Sequence, residues 1–319
     1  MDAATCPACG RQSLTDWRPA TASDPQLAGA GRFELRRCAV CGSGVTVGDA
    51  PDRAAMYEGG TYTPARGLAR GLLAPLRSIA ERDRLRFVSH LEAGSRVLEV
   101  GAGDGKLVAA MRAAGLDARG IDPSPAACAA AEAIGVEVAN VGVDDAEFAA
   151  GSEDAVVVWH ALEHLDRPAE ALARIRGWQA PGGALVVAVP NLASLQARLG
   201  GDRWFHQDVP RHRIHLTPAG AVALLERSGY RVERVRHLLV EQNPLGMWQT
   251  LLNRLTRERD FAFRALKRDL GQAGGVASLR DWTVTALAGP LLAPVAVIAE
   301  LGAGICRRGG SIVVQARAV

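Results

Sequence analysis

Four of the six cysteines stand in two close pairs near the N-terminus, Cys6 with Cys9 and Cys38 with Cys41. Two residues separate the members of each pair, so one turn can direct both thiolates toward the same tetrahedral ion. Four thiolates leave no open position for water or substrate, which excludes a catalytic role for that ion. The spacing therefore predicts a structural zinc site of the ribbon type, and the alternative is four unrelated buried or reactive thiols.

A glycine loop is the second feature that could bind a ligand. An apolar run ends at Glu99, and Gly101 and Gly103 follow before a helical stretch begins. Glycines here let the backbone turn tightly and approach a ligand closely, while the start of the helix offers free N–H groups. Asp122 ends the next apolar run, where a carboxylate can accept both hydroxyls of a ribose. Because Lys106 stands where a dinucleotide loop has its third glycine, the pattern indicates a ribose-containing ligand other than a nicotinamide dinucleotide.

The elements that must hold these residues alternate from residue 96 onward. Predicted strands are 96–100, 118–121, 136–139, 155–158 and 184–189, and predicted helices are about 105–114, 124–134 and 168–179. Such alternation indicates a parallel sheet covered on both faces, with ligands at the carboxyl ends of its strands. A further helix starts at Thr217 and stops at Gly229. Strands at 231–235 and 311–316 complete the predicted doubly wound α/β fold.

These motifs resemble those of the class I S-adenosylmethionine-dependent methyltransferases, over about residues 95–237 and the last strand. The first motif of that family is an acidic residue followed by G-x-G-x-G, and its second is an acid that ends the second strand. The segment 154–168 is similar to its fourth-strand motif, in which an apolar strand runs into L-E-H. The resemblance implies a Rossmann-like methyltransferase sheet and S-adenosylmethionine as cofactor.

The resemblance also implies which residues contact that cofactor. In the family the glycine loop lies under the amino acid part, the second acid holds the ribose, and an acid near the end of the third strand approaches the adenine. The last role stays open between Asp144 and Asp145. The implied cofactor-binding residues are Glu99, Gly101, Ala102, Gly103, Asp122, Pro123, Asp144, Asp145 and His160.

Several histidines lie in the two segments that, by the resemblance, border the reaction centre. The fourth-strand segment contributes His164, and the polar run 202–218 contributes His212 and His215. A neutral histidine can remove a proton while a hydroxyl or amine attacks the sulfonium methyl. These three histidines are therefore candidate general bases, and the alternative is that their side chains cap helices or tie loops.

The H-x-x-E-H motif from His160 to His164 has two other interpretations. It is a metalloprotease pattern, which we exclude because it follows an apolar strand instead of lying within a long helix. Some quinone and catechol methyltransferases hold a divalent cation in the same region, but His160 stands where those enzymes carry a carboxylate. Metal-assisted deprotonation is therefore the less favoured mechanism.

The chain of 319 residues divides into three predicted parts. They are a zinc-ribbon module at 1–50, a connecting helical segment at 51–94, and a methyltransferase domain at 95–319 with a helical cover at 239–310 inserted before the last strand. In the connecting segment an amphipathic helix is expected at 66–92, and Tyr57 and Tyr62 either pack or close over the cofactor.

Composition bears on partners and location. Hydrophobic residues make up 48% of the chain and charged residues 22%, which is typical of a globular protein. A net charge of +3 provides no strong field for nucleic acid, so that partner is not expected. The first residues lack a basic stretch followed by an apolar run, which favours a cytoplasmic location over secretion.

Residues 282–299 carry no charge. The length raises the possibility of a bilayer span, but Pro290 and Pro294 lie in the middle of the stretch. We expect a buried helical cover here, with contact at a membrane surface as an alternative and a true span least favoured.

Together these features predict methyl transfer from S-adenosylmethionine to a small-molecule acceptor such as a sugar or a secondary-metabolite intermediate. Oxygen is favoured over nitrogen or carbon as the attacking atom. One alternative is methylation of RNA or protein docked by the ribbon, whose arginines are Arg11, Arg18, Arg32, Arg36 and Arg37. Another is a member of the fold that binds the cofactor without transferring methyl groups. The sequence leaves the oligomeric state open.

Overall fold

The computed structural model describes residues 5–24, 27, 29, 31–48, 56, 82–267 and 279–319. The strands are β1 Leu14–Thr21, β2 Arg32–Cys38, β3 Gly44–Val47, β4 Arg96–Val100, β5 Asp117–Ile121, β6 Val138–Ala139, β7 Glu153–Trp159, β8 Gln179–Pro190, β9 Ile214–His215, β10 Tyr230–Arg236 and β11 Ser311–Ala318. The α-helices are α1 Lys106–Ala113, α2 Pro125–Glu132, α3 Pro168–Trp178, α4 Leu195–Gly200, α5 Pro218–Arg227, α6 Asn243–Asn253, α7 Phe261–Lys267 and α8 Leu279–Ile305.

The larger sheet has seven strands in the order β10-β11-β8-β7-β4-β5-β6. β4 to β8 run parallel, whereas β11 is antiparallel to β8, and β10 is antiparallel to β11. Its central strands are almost wholly buried apolar runs, as expected where helices cover both faces of a parallel sheet. The predicted doubly wound α/β fold is confirmed, with a third strand shorter than the predicted 136–139.

The strand order reverses between β4 and β7. The chain proceeds outward from β4 through β5 to β6 and then returns to place β7 on the other side of β4. Ligands of open α/β sheets bind outside the carboxyl ends of the strands at such a reversal. Because Val100 pairs in register with Val158, the residues that follow β4 and β7 meet at this edge.

The smaller sheet has the order β1-β2-β3-β9 and is antiparallel throughout. β9 belongs to the polar run 202–218, and it pairs Gly44 with His215 and Val45 with Ile214. The Sγ atoms of the four paired cysteines lie within 4.8 Å of one another at one end of this sheet. Two residues that the sequence analysis assigned to the larger domain therefore complete the sheet of the predicted ribbon.

A buried ion pair fixes the polar run to the N-terminal segment. The Arg211 guanidinium donates to Asp24 Oδ2 at 2.6 Å and to Asp208 Oδ1 at 3.1 Å, and Arg211 and Asp24 are 2% and 3% exposed. Arg211 Nε also donates to the backbone oxygen of Met56 at 2.8 Å. These contacts order the loop from which the histidines project.

The apolar stretch 282–299 is not the buried cover that the sequence favoured. It lies in α8, a continuous helix through Pro290 and Pro294, and only 17% of its most apolar window is buried. Within the described residues, α8 is the one helix long and apolar enough to cross a membrane. The expectation was wrong because the side of α8 that faces the protein carries small and polar residues, which leaves the large apolar side chains outside.

Several expectations fall outside the described residues. Tyr57 and Tyr62 do, as does most of the connecting helix expected at 66–92. The described end of that segment contributes Phe87 and Val88, which are buried against the larger sheet.

We predict that Asp24→Ala lowers the free energy of unfolding by about 3 kcal/mol, because it removes one of the two carboxylates that neutralise the buried Arg211 guanidinium. Urea titration followed by circular dichroism measures the change. The control is Asp166→Ala, since Asp166 pairs with Arg213 at 2.8 Å but is 64% exposed; it should cost less than about 1 kcal/mol. Equal effects of the two variants would contradict the structural role of the Arg211 pair.

Candidate active site

The glycine loop after β4 leaves open space on one side. Gly101 and Gly103 have φ angles of +76° and +54°, in the left-handed region that favours glycine. A Cβ on Gly101 would lie 2.5 Å from the Cβ of Ala161, so the loop there packs tightly on the segment after β7. A Cβ on Gly103 would meet nothing within 4 Å. Gly103 therefore lines a cradle that a ligand can occupy.

Asp122, at the end of β5, holds the shape of this loop. Its Oδ2 accepts a hydrogen bond from the backbone N–H of Gly103 at 2.9 Å, and its Oδ1 accepts one from Ser124 at 2.9 Å. Burial raises the pKa of the Asp122 carboxyl above its usual range. Sequence reasoning assigned this side chain to a ribose and missed its contact with the loop.

Glu99 is a buried carboxyl next to the same loop. It is 3% exposed, and its Oε2 has no hydrogen-bond partner among the described residues. Burial raises the pKa of Glu99 to about 8, and the nearby Arg84 opposes that rise. An unpartnered buried oxygen of this kind suits a ligand that brings a cation or a hydrogen-bond donor.

The other implied cofactor residues surround the strand ends. Ala102 is buried against Gly120 of β5, and Pro123 is exposed directly after Asp122. Asp144 and Asp145 are both exposed in the turn after β6, so the geometry does not choose between them.

His160 and Glu163 form a pair at the end of β7. His160 has a φ angle of +51°, which is unusual for a residue with a side chain, and its Nδ1 lies 3.3 Å from Glu163 Oε1. Burial of Glu163 would raise its pKa, but the His160 hydrogen bond and the charges of His160, His164 and His212 outweigh burial and lower it to about 2. Glu163 is therefore a carboxylate at neutral pH.

His164 and His212 pack together beside that carboxylate, with ring centroids 4.7 Å apart. His164 Nδ1 lies 3.1 Å from the backbone oxygen of Arg211, and His212 Nδ1 lies 2.9 Å from that of His206. Burial, with the charge of His212, lowers the pKa of His164 to about 4, so its ring is neutral at pH 7. Ligand atoms of Glu163, His164 and His212 lie within 4.8 Å of one another, which also suits a metal ion.

His215 lies toward the N-terminal sheet. Its Nε2 is 3.0 Å from Thr46 Oγ1, whose hydroxyl donates to the backbone oxygen of His212 at 2.7 Å. Burial lowers the pKa of His215 to about 3. The structure thus brings His164 and His212 together with Glu163 and places His215 at the junction of the two sheets.

His206 is a site residue that the sequence analysis did not select. Its ring stacks on His160 at a centroid distance of 6.4 Å, and its Nε2 has no partner among the described residues. Burial lowers the pKa of His206 to about 3. A Cβ on Gly246 of α6 would lie 2.5 Å from His206 Nε2, so α6 closes this side of the cluster. No local sequence pattern indicates that contact, because α6 is distant in the chain.

The sheet order, the glycine loop and the acids that end β4 and β5 define an S-adenosylmethionine-dependent methyltransferase. A family model described as Methyltransferase domain matches residues 73–235. The match covers half of the chain, and the chain belongs to that family.

The chain is also similar to curated relatives and to solved structures. The ubiquinone biosynthesis O-methyltransferase of Xanthomonas axonopodis pv. citri is 31% identical over 173 residues, which cover 50% of this chain and 72% of the relative. A protein of the same name from Ralstonia nicotianae is 38% identical over 99 residues, which cover 28% of this chain and 41% of that relative. A solved S-adenosylmethionine-dependent methyltransferase from Archaeoglobus fulgidus aligns with 79% of this chain and 100% of its own, at 16% identity and a TM-score of 0.49.

Proposed function

We propose that this enzyme methylates a hydroxyl group of a small molecule, with S-adenosylmethionine as the methyl donor. The observation that carries the proposal is the position of the open glycine loop beside a buried cluster of histidines and a carboxylate at the neighbouring strand end. The name O-methyltransferase, which both quoted relatives carry, supports oxygen as the attacking atom.

The residues at the ends of β4, β5 and β6 fit the cofactor. S-adenosylmethionine supplies a methyl group on a positively charged sulfur. Glu99 would hold a cationic group with its unpartnered oxygen. Asp122 would accept ribose hydroxyls, because a carboxylate has about four acceptor positions and only two are used by backbone N–H groups. Asp144 or Asp145 would approach the adenine.

His164 is the proposed general base. Its Nδ1 donates to the Arg211 carbonyl, which leaves Nε2 as the basic nitrogen of the neutral ring. It is also less buried than His212 and His215, which are 6% and 4% exposed. The acceptor oxygen would form its bond to the methyl carbon as the bond from that carbon to the sulfonium sulfur breaks, with the electron pair left on the sulfur of S-adenosylhomocysteine, while the proton of the hydroxyl passes to His164 Nε2.

A divalent cation is the second candidate mechanism. It rests on the convergence of Glu163, His164 and His212, whose ligand atoms lie within 4.8 Å of one another. Such an ion would lower the pKa of an acceptor hydroxyl by binding its oxygen. The two mechanisms differ in their response to a chelator.

The alternative of an RNA or protein acceptor receives less support, because three of the five ribbon arginines are engaged within the chain, while Arg11 and Arg32 are exposed. Arg18 donates to the Gly201 oxygen at 3.0 Å and to Gln207 Oε1 at 2.7 Å. Arg36 pairs with Asp16 at 3.0 Å, and Arg37 Nε donates to the Gly42 oxygen at 3.2 Å. These contacts occupy guanidinium N–H groups that phosphates would otherwise bind.

The first test is methyl transfer from labelled S-adenosylmethionine to a panel of phenols, catechols and sugars. We expect transfer to a hydroxyl, and His164→Ala should lower kcat by at least about a hundredfold as expected for loss of a general base. His90→Ala is the control, because His90 is an exposed histidine outside the site. Activity that is lost with EDTA and restored by Mg²⁺ would favour the cation mechanism. Transfer only to RNA or protein would refute the small-molecule proposal.

The pKa of Glu99 predicts a pH dependence of cofactor affinity. With a pKa of about 8, Glu99 is mostly protonated at pH 7 in the cofactor-free protein. A bound cationic group favours the carboxylate, so binding should release a proton, and affinity should rise with pH until about 8. Calorimetry in buffers of different ionisation enthalpy measures the release. Glu99→Gln should abolish the proton release, whereas the control Glu170→Gln, which alters an exposed carboxyl, should not. A proton release that Glu99→Gln leaves unchanged would disprove the assignment.

We also propose that Cys6, Cys9, Cys38 and Cys41 hold a structural zinc ion. Besides the convergence of the four sulfurs, the pKa of the Cys38 thiol is lowered, whereas burial raises the pKa of the Cys6 and Cys41 thiols. Burial would also raise the pKa of Cys38, but the Ser13 hydroxyl at 3.0 Å and backbone N–H groups lower it to about 6.

The zinc proposal predicts about one zinc per chain in protein purified without chelator. Replacing Cys6 and Cys9 together by serine should remove the metal and lower the melting temperature, because the N-terminal sheet loses its crosslink. The exposed Cys306→Ser is the matched control and should keep the metal. Stoichiometric zinc in the double variant would show that the ion binds elsewhere.

A further inference from the structure

α8 has the reverse of the usual distribution of residues on a surface helix. The buried positions are Asp281, Gly289, Ala296, Glu300, Ala303 and Gly304. On the outside, Leu287, Leu291 and Ile298 are 68%, 73% and 71% exposed. A helix of a globular protein normally turns its apolar side inward. The outer side of α8 is therefore suited to an apolar environment that the described part of the chain does not provide.

Polar contacts along the inner side hold α8 against the protein. Asp281 accepts hydrogen bonds from the backbone N–H groups of residues 257 and 258 at 3.0 and 2.9 Å. Trp248 Nε1 donates to the Gly289 oxygen at 2.8 Å, and Glu300 Oε2 accepts from the Gly310 N–H at 3.1 Å. Since the start, the middle and the end of the helix are all fixed to the same body, α8 lies along the surface and is not placed to cross a bilayer.

The charges around α8 indicate what covers it. Both acids of the helix, Asp281 and Glu300, point inward, so the outer side carries no negative charge. Exposed cationic residues flank the apolar side at both ends: Arg307 and Arg308 lie just beyond the end, and Arg280 lies at the start, where it also pairs with Asp281 at 3.4 Å. Anionic lipid headgroups attract such flanking arginines, while the side chains between them enter the acyl region.

A second copy of this chain fits the same surface less well. Antiparallel pairing of two α8 helices would bring Arg280 of one copy near Arg307 and Arg308 of the other. Parallel pairing would bring like residues together. Either arrangement places positive charges opposite each other, which is unfavourable.

We propose that the outer side of α8 is a docking surface for an anionic membrane, with the helix lying in the plane of the headgroups. α6 packs on α8 through Trp248 and reaches His206 through Gly246, so the docked membrane would lie one helix away from the histidine cluster. The proposal does not depend on which acceptor is methylated.

Flotation of the full chain with vesicles tests the proposal. The probes are phosphatidylcholine vesicles and vesicles that also contain about 30% phosphatidylglycerol. We expect binding to the anionic vesicles. Leu287→Glu, Leu291→Glu and Ile298→Glu combined should reduce it at least about tenfold, because binding scales with the apolar area inserted. Ile134→Glu is the control variant, since Ile134 lies just after α2 and is 41% exposed. This variant should bind as the unaltered chain does.

A second variant tests the charge. The double variant Arg307→Gln and Arg308→Gln should reduce binding to anionic vesicles several-fold while leaving the apolar side intact. If circular dichroism shows that the triple variant does not fold, this double variant tests the proposal in its place. Absence of flotation with either vesicle would overturn the proposal, as would equal binding by the triple variant. A dimer that the triple variant abolishes, without any vesicle binding, would assign the surface to a second copy instead.

Discussion

The pairing of β9 with β3 joins the two sheets of this chain, and the arrangement of the histidine cluster depends on it. Thr46 of β3 contacts both His212 and His215, so the backbone of the polar run is fixed from the N-terminal side. That backbone carries the Arg211 carbonyl that orients His164. A small sheet with little core of its own therefore determines the geometry of a site that lies in the other sheet, and any ion that stabilises the small sheet would act on the site through this junction.

The charged and titratable groups of the cluster act on one another. Glu163 remains a carboxylate because His160 donates to it and the neighbouring rings favour its charge. The rings in turn disfavour protonation of one another, since burial and the charge of His212 both lower the pKa of His164. One proton taken from an acceptor would be stabilised by Glu163, whereas a second would meet the charge of the first. This property fits one deprotonation in each methyl transfer.

The parts of the site that sequence predicts are those held by local geometry. Glu99 and Asp122 follow apolar strands at fixed distances from a glycine loop, and parallel strands bring their carboxyl ends together without further information. The contact of His206 with His160, and the pairing of Gly44 with His215, join residues that are far apart in the chain. Tertiary packing alone creates those contacts, so no spacing rule reveals them.

α8 shows the limit of hydropathy as a guide to burial. The uncharged stretch 282–299 has the composition of a core helix, and composition is the same whichever side faces the protein. The orientation is set instead by the two acids outside that stretch, Asp281 and Glu300. In the sequence they look like the boundaries of an apolar segment, but in the structure they accept backbone hydrogen bonds from the body of the protein. Because a buried carboxylate must keep such partners, those contacts turn the apolar side outward.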